Sequence, residues 1–138
     1  MEIKGHCACG SVMFEVRGEP IAQMYCHCRS CQVAHAAPVS EIAMFSEDAV
    51  TYAGPTRRVR VTQREDAAWR VICTHCGTKV INEPGGGIRA ILPALCETRD
   101  WFAPQMHIQW QDHVIPVHDD LPRFLDYPIE LGGTGHRA

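Results

Sequence analysis

Apolar and polar side chains alternate along most of this chain in short runs. Across residues 11–17, Val12, Phe14 and Val16 fall on one side and Met13, Glu15 and Arg17 on the other. That is the period of a half-buried strand. Gly18, Glu19 and Pro20 end the run. Residues 39–45, 57–63, 68–73 and 88–92 read as strands too, with Trp69, Val71 and Cys73 on a shared face. Gly85, Gly86 and Gly87 form a turn ahead of the run that starts at Ile88. Met106, Ile108 and Trp110 alternate with His107 and Gln109, which predicts a late strand. Helical signal is weak: residues 29–36 have room for about two turns before Pro38. The pattern predicts a mainly β fold of antiparallel sheets with one or two short helices. One contiguous core should hold Phe14, Trp69, Val71 and Trp110. The glycine-rich tail, residues 132–138, has the composition of a disordered end unless it rests on another surface, such as a neighbouring subunit.

The chain has 138 residues, one domain's worth, and no linker or repeat divides it, so residues 1–138 are read as a single domain. A hydrophobic fraction of 46% and a charged fraction of 21% exclude an intrinsically disordered chain. No apolar run approaches the ~18–20 residues that cross a bilayer, so no membrane partner is expected. Residues 1–6 carry no apolar leader, which predicts a cytoplasmic protein. The formal charge of −3 argues against a nucleic-acid partner, and metal-bound thiolates would make it more negative.

Eight cysteines change the picture. In a reducing compartment, clustered cysteines read as metal ligands or redox centres before disulfides. Cys7 and Cys9 precede Gly10, Cys73 and Cys76 precede Gly77, and Cys26, Cys28 and Cys31 fall within six residues. The two pairs together supply four thiolates, the closed shell of a structural zinc. The triad supplies three, which leaves one tetrahedral position for water or substrate. Other readings stay open. Cys73 and Cys76 could be a redox pair, and the triad could be a second closed site completed by His27, His35 or another histidine. Cys96 reads as a buried filler, His27 and His75 as side chains turned away from the ions, and Asp119-Asp120 as a solvated turn.

The segments Gly5-His6-Cys7-Ala8-Cys9-Gly10-Ser11-Val12, Cys26-His27-Cys28-Arg29-Ser30-Cys31 and Cys73-Thr74-His75-Cys76-Gly77-Thr78 resemble the family of glutathione-dependent formaldehyde-activating enzymes, which also includes centromere protein V. The late stretch from His107 to Trp110 and from Asp119 to Phe124 is similar to that family as well. The resemblance implies a β-tent fold, a structural zinc on Cys7, Cys9, Cys73 and Cys76, and a catalytic zinc on Cys26, Cys28 and Cys31. It implies condensation of glutathione, a small thiol, with formaldehyde, a small aldehyde, as a carbon–sulfur lyase. Arg29 is then a candidate to bind a glutathione carboxylate, and His27, Ser30 and His35 are candidates to supply a proton. The sequence departs from the family's pattern at His6, at Ala36 where a glycine is common, and across residues 92–96. The rival reading is a zinc-stapled module that binds a small thiol or a protein without turnover; a homo-oligomer is compatible with either.

Overall fold

The computed structural model describes residues 1–61 and 67–138. In chain order the elements are β1 (Glu2–His6), β2 (Met13–Arg17), β3 (Ala22–Cys26), α1 (Arg29–His35), β4 (Ser40–Ser46), β5 (Val50–Ala53), β6 (Thr56–Val59), β7 (Trp69–Cys73), β8 (Lys79–Gly85), β9 (Ile88–Ile91) and β10 (Met106–Ile108). The fold is mainly β, as the alternation predicts. The predicted strand at 57–63 is found as β6, and its end, Thr62 and Gln63, lies outside the described residues.

The strands form two sheets. β1, β2 and β5 make a three-stranded antiparallel sheet, and the other seven lie in the order β10-β3-β4-β9-β8-β7-β6. β8 and β9 form a hairpin closed by Gly86 and Gly87, where the sequence placed a turn. β10 pairs with β3 in parallel, so the large sheet is mixed rather than wholly antiparallel. The link from β3 to β10 runs through most of the molecule, which allows the parallel return.

Register across the large sheet separates two faces. Val71 opposes Ile81, Ile81 opposes Ile91 and Ile91 opposes Ala43. These four, with Phe45, pack against Ile3, Phe14, Val16 and Val50 of the small sheet. On the other face Ala22, Met24, Ile42, Ala90 and Ile108 form a second buried cluster together with Cys26 and Cys31. The expected single core is therefore two, one on each side of a shared sheet.

Trp69 and Trp110 are not in either core. Trp69 is half-buried under the guanidinium groups of Arg58 and Arg60, 4.8 and 4.4 Å from its ring centre. Trp110 is half-buried too, stacked on His113 at 3.9 Å. The late strand ends at Ile108 because Gln109 adopts a left-handed conformation with φ 53° and starts a short 3-10 turn, Trp110–Asp112. The tail rests on its own chain: Ala138 N donates to Arg123 O, Leu125 N to His136 O, and Asp126 accepts from Thr134.

Candidate metal centres and the cavity beside one of them

Two tight turns bring the first four cysteines together. After β1, Gly10 N donates to Cys7 O at 3.1 Å; after β7, Gly77 N donates to Cys73 O at 2.8 Å. Gly10 and Gly77 have φ of 79° and 78°, a left-handed conformation that glycine adopts without a Cβ clash. Each turn aims a backbone N–H at a sulfur, Val12 N at Cys7 Sγ and His75 N at Cys73 Sγ. The sulfurs of Cys7, Cys9, Cys73 and Cys76 all lie within 4.8 Å of one another. Cys7 to Cys9 is 3.6 Å and Cys9 to Cys73 is 3.8 Å. Sulfurs about 2.3 Å from a tetrahedral zinc would stand roughly 3.8 Å apart, so this donor set fits zinc.

Cys7 and Cys73 sit in the core between the two sheets, while Cys9 and Cys76 are exposed. Hydrogen bonds from the Thr78 hydroxyl and backbone draw the Cys76 thiol down to about 5. Burial opposes ionisation at Cys7, but the hydrogen bonds from Val12 N and the neighbouring thiols outweigh it and lower its pKa. His75 turns away and pairs with Ser11 Oγ at 3.1 Å, across the same two turns. Ala8 N donates to Thr78 Oγ1, adding a second tie between them.

The second cluster is Cys26 at the end of β3 with Cys28 and Cys31 at the start of α1, again within 4.8 Å. Cys28 is the helix N-cap, its sulfur accepting from Cys31 N at 3.2 Å. The turn is clamped from a distance. Gln32 Nε2 donates to His27 O and Asp112 O, and Arg29 N donates to Asp112 Oδ2. The helix stops at His35 because Ala36 is left-handed at φ 49°, ahead of the proline that the sequence reading used as its stop. Hydrogen bonds from Cys26 and Cys28, with the Arg70 guanidinium behind them, pull the Cys31 thiol down to about 3. Hydrogen bonds with Cys28 and Cys31, and then burial, push the Cys26 thiol well above the usual range. Three thiols converging at this spacing form a donor set that suits a soft metal. Among the described residues no fourth His, Cys, Asp or Glu joins it.

The three sulfurs line a cavity of about 330 Å³ on the second face of the large sheet. Ser30, Arg70, Gln109 and Tyr127 line it too. Of the residues picked out for proton transfer, only Ser30 is there. His35 lines a different cavity and bonds Ser40 Oγ at 2.8 Å. His27 points to the opposite face, where its Nε2 lies 2.8 Å from His107 Nδ1, and His107 Nε2 lies 2.9 Å from Asp119 Oδ2. Asp119 is thus the partner of a buried imidazole, which the solvated-turn reading missed. Arg29 is exposed and its Nη1 reaches Gln32 Oε1 at 3.4 Å. Cys96 joins neither sulfur cluster; it is half-buried against the first core, and burial pushes its thiol up to about 12.

Sequence reasoning missed Arg70, Gln109 and Tyr127. Arg70 alternates with Val71 and so reads as solvent-facing, Gln109 falls on the polar side of the predicted late strand that in fact ends at Ile108, and Tyr127 comes from irregular chain that has no period. Among the described residues, no helix is long and apolar enough to cross a membrane. A search of the curated proteins finds no match to this chain. The family of the glutathione-dependent formaldehyde-activating enzyme does match, over residues 2–112, a span that holds all three cysteine motifs and ends before Asp119 and Tyr127. With both sulfur clusters assembled as those motifs require, and with most of its length matched, this chain belongs to the glutathione-dependent formaldehyde-activating enzyme family.

Proposed function

We propose that this protein is a zinc-dependent carbon–sulfur lyase-type enzyme, acting on the glutathione adduct of formaldehyde or of another small aldehyde. One observation carries the reading: the two sulfur clusters differ in kind. Cys7, Cys9, Cys73 and Cys76 offer a full tetrahedron where the two sheets meet, the donor set of a structural zinc. Cys26, Cys28 and Cys31 offer three donors at the wall of a cavity, the donor set of a zinc that keeps a position for a ligand. Family membership supports the thiol and the aldehyde. A cytoplasmic setting suits a chain whose eight cysteines are all free.

Zinc held by Cys26, Cys28 and Cys31 would supply one thing, a lowered pKa for a thiol entering the cavity. The condensation balances without a redox partner: a C–S bond forms, the carbonyl π pair moves onto oxygen, and the proton lost by the thiol ends there. Among the described residues, two hydroxyls line the cavity and could hold that proton, Ser30 and Tyr127. Burial pushes the Tyr127 phenol up to about 12, so it stays protonated and able to donate a hydrogen bond at neutral pH. Arg29 is exposed on α1, outside the cavity that the three sulfurs line.

The test is the initial rate of S-hydroxymethylglutathione formation with the zinc-loaded protein, set against the uncatalysed addition, with zinc counted per chain. The expected result is two zinc ions and a rate above background that Cys28→Ser removes. Thiol binding with no rate above background for any thiol–aldehyde pair would replace this reading with a non-catalytic binding module.

A further inference from the structure

We infer that Arg70 is the anchor for a carboxylate of the thiol substrate, inside the cavity that Cys26, Cys28 and Cys31 line. The inference rests on the thiol reading above and names the group that holds the rest of the molecule.

Arg70 lies on β7, opposite Asn82 on β8; Asn82 lies opposite Ala90 on β9, and Ala90 opposite Met44 on β4. Side chains paired across antiparallel strands share a face, and all four of these line the cavity. The row is the floor of the site. Ala90 is short, which leaves space between the guanidinium and the far wall. Arg70 is 2% exposed, almost wholly out of water.

Its hydrogen bonds do not match that burial. Nη2 donates to Cys31 Sγ at 3.8 Å, a long contact even for sulfur. Nε and Nη1 have no partner among the described residues. A buried guanidinium with two unmet donor nitrogens is expensive unless something enters to meet them. Asn82, the next residue in the row, also has a buried Oδ1 without a partner among the described residues. No carboxylate among the described residues lines the cavity. Glu83, one residue beyond Asn82, is engaged by Arg58 and Arg89 instead.

The cavity thus presents a fixed cation, an amide able to donate or accept, and a sulfur cluster within one small space. A carboxylate fits the guanidinium by charge and by hydrogen-bond geometry. The contact to Cys31 places that carboxylate close to the sulfur site, so the ligand carries an acid and a thiol only a few bonds apart. Arg29 lies outside the cavity and cannot fill this role from its observed position.

The experiment is calorimetric titration of the zinc-loaded protein with four probes: glutathione, glutathione diethyl ester, S-methylglutathione and S-methylglutathione diethyl ester. The expected result is at least about tenfold tighter binding of each acid than of its ester, the scale of one charge-assisted hydrogen bond. In Arg70→Gln the preference should vanish while ester binding stays within about twofold, and Arg70→Lys, which keeps the charge but not the planar fork, should retain part of it. The S-methylated pair has no thiol, so its preference stands or falls separately from the lyase reading, which turnover tests. Equal binding of acid and ester by the wild-type protein would overturn the assignment, a result that needs no variant to fold. So would a preference that survives Arg70→Gln, one that disappears in Arg29→Gln, or equal weakening of acid and ester, the mark of a residue that only positions Cys31.

Discussion

Replacing one cysteine in each sulfur cluster by serine should have opposite effects on folding. Cys76 is exposed, so Cys76→Ser removes no buried surface. A surface change of that kind alone is worth within about 0.5 kcal/mol. Any larger loss comes from the metal. Zinc binding in small zinc domains is coupled to folding at about 10–16 kcal/mol, against a net stability of ~5–15 kcal/mol for a whole domain. The four-sulfur site joins the turn after β1 to the turn after β7, one from each sheet. Forfeiting even half of the zinc term would consume most of the stability and release the small sheet from the large one. Cys28→Ser differs on each count. Its partners lie within six residues, all at the junction of β3 and α1, and serine can still cap α1 by accepting from the N–H that Cys28 now accepts. The expected outcome is insoluble or unfolded Cys76→Ser, and folded Cys28→Ser with one zinc fewer and no thiol–aldehyde activity. Far-UV circular dichroism, thermal melts and elemental analysis of zinc per chain read all three. A folded Cys76→Ser beside an unfolded Cys28→Ser would exchange the structural and catalytic labels.

How much of this was readable beforehand follows from where each signal resides. The cysteine partition was legible because its geometry is local: two short turns and one helix start set the sulfurs. β2 was legible because Phe14 and Val16 are buried and Met13 and Arg17 exposed, a clean alternation. Strands buried on both faces have none. In β3, Ala22, Gln23, Met24 and Cys26 are all buried, and in β8 three successive residues, Val80, Ile81 and Asn82, are buried next to a bulge. β1 does alternate, but one of its two buried positions is Gly5, which has no side chain to announce it. Arg70 fails for a non-local reason. Its side of β7 reads as solvent until the chain around Ile108, Gln109 and Tyr127 closes over that face. The tail misled by composition, since glycine weakens local order but does not prevent the backbone bonds to Arg123, Leu125 and Tyr127 that hold it.

The remaining tests use other parts of the molecule. Ala36→Gly should stabilise the fold by about 1 kcal/mol, because Ala36 caps α1 in a left-handed conformation that a Cβ disfavours; a thermal midpoint a few degrees higher would show it. Cys96→Ala should keep the full zinc content, since Cys96 stands outside both sulfur clusters; losing one zinc per chain would show the four-plus-three partition to be wrong. The last concerns pH and the imidazole pair on the face away from the cavity. His107 Nε2 pairs with Asp119, His107 Nδ1 and His27 Nε2 share a hydrogen bond, and the buried Nδ1 of His27 has no partner among the described residues. Burial, and then the neighbouring His107, holds the His27 pKa down at about 4. An unfolded chain takes up that proton near 6.5, so below this pH the unfolded state binds a proton the native state refuses. Stability from this group is complete above about 6.5 and is lost as pH falls towards 4, by up to about 3 kcal/mol at 1.36 kcal/mol per pKa unit. Acid also strips thiolate-bound metal, so the reading must be a difference. Wild type and His27→Gln are unfolded by urea at several pH values between 7 and 4, with zinc content matched. The wild-type stability should fall more steeply than that of the variant over this window. Parallel pH dependences would mean that His27 titrates alike in both states, and the burial argument would fail.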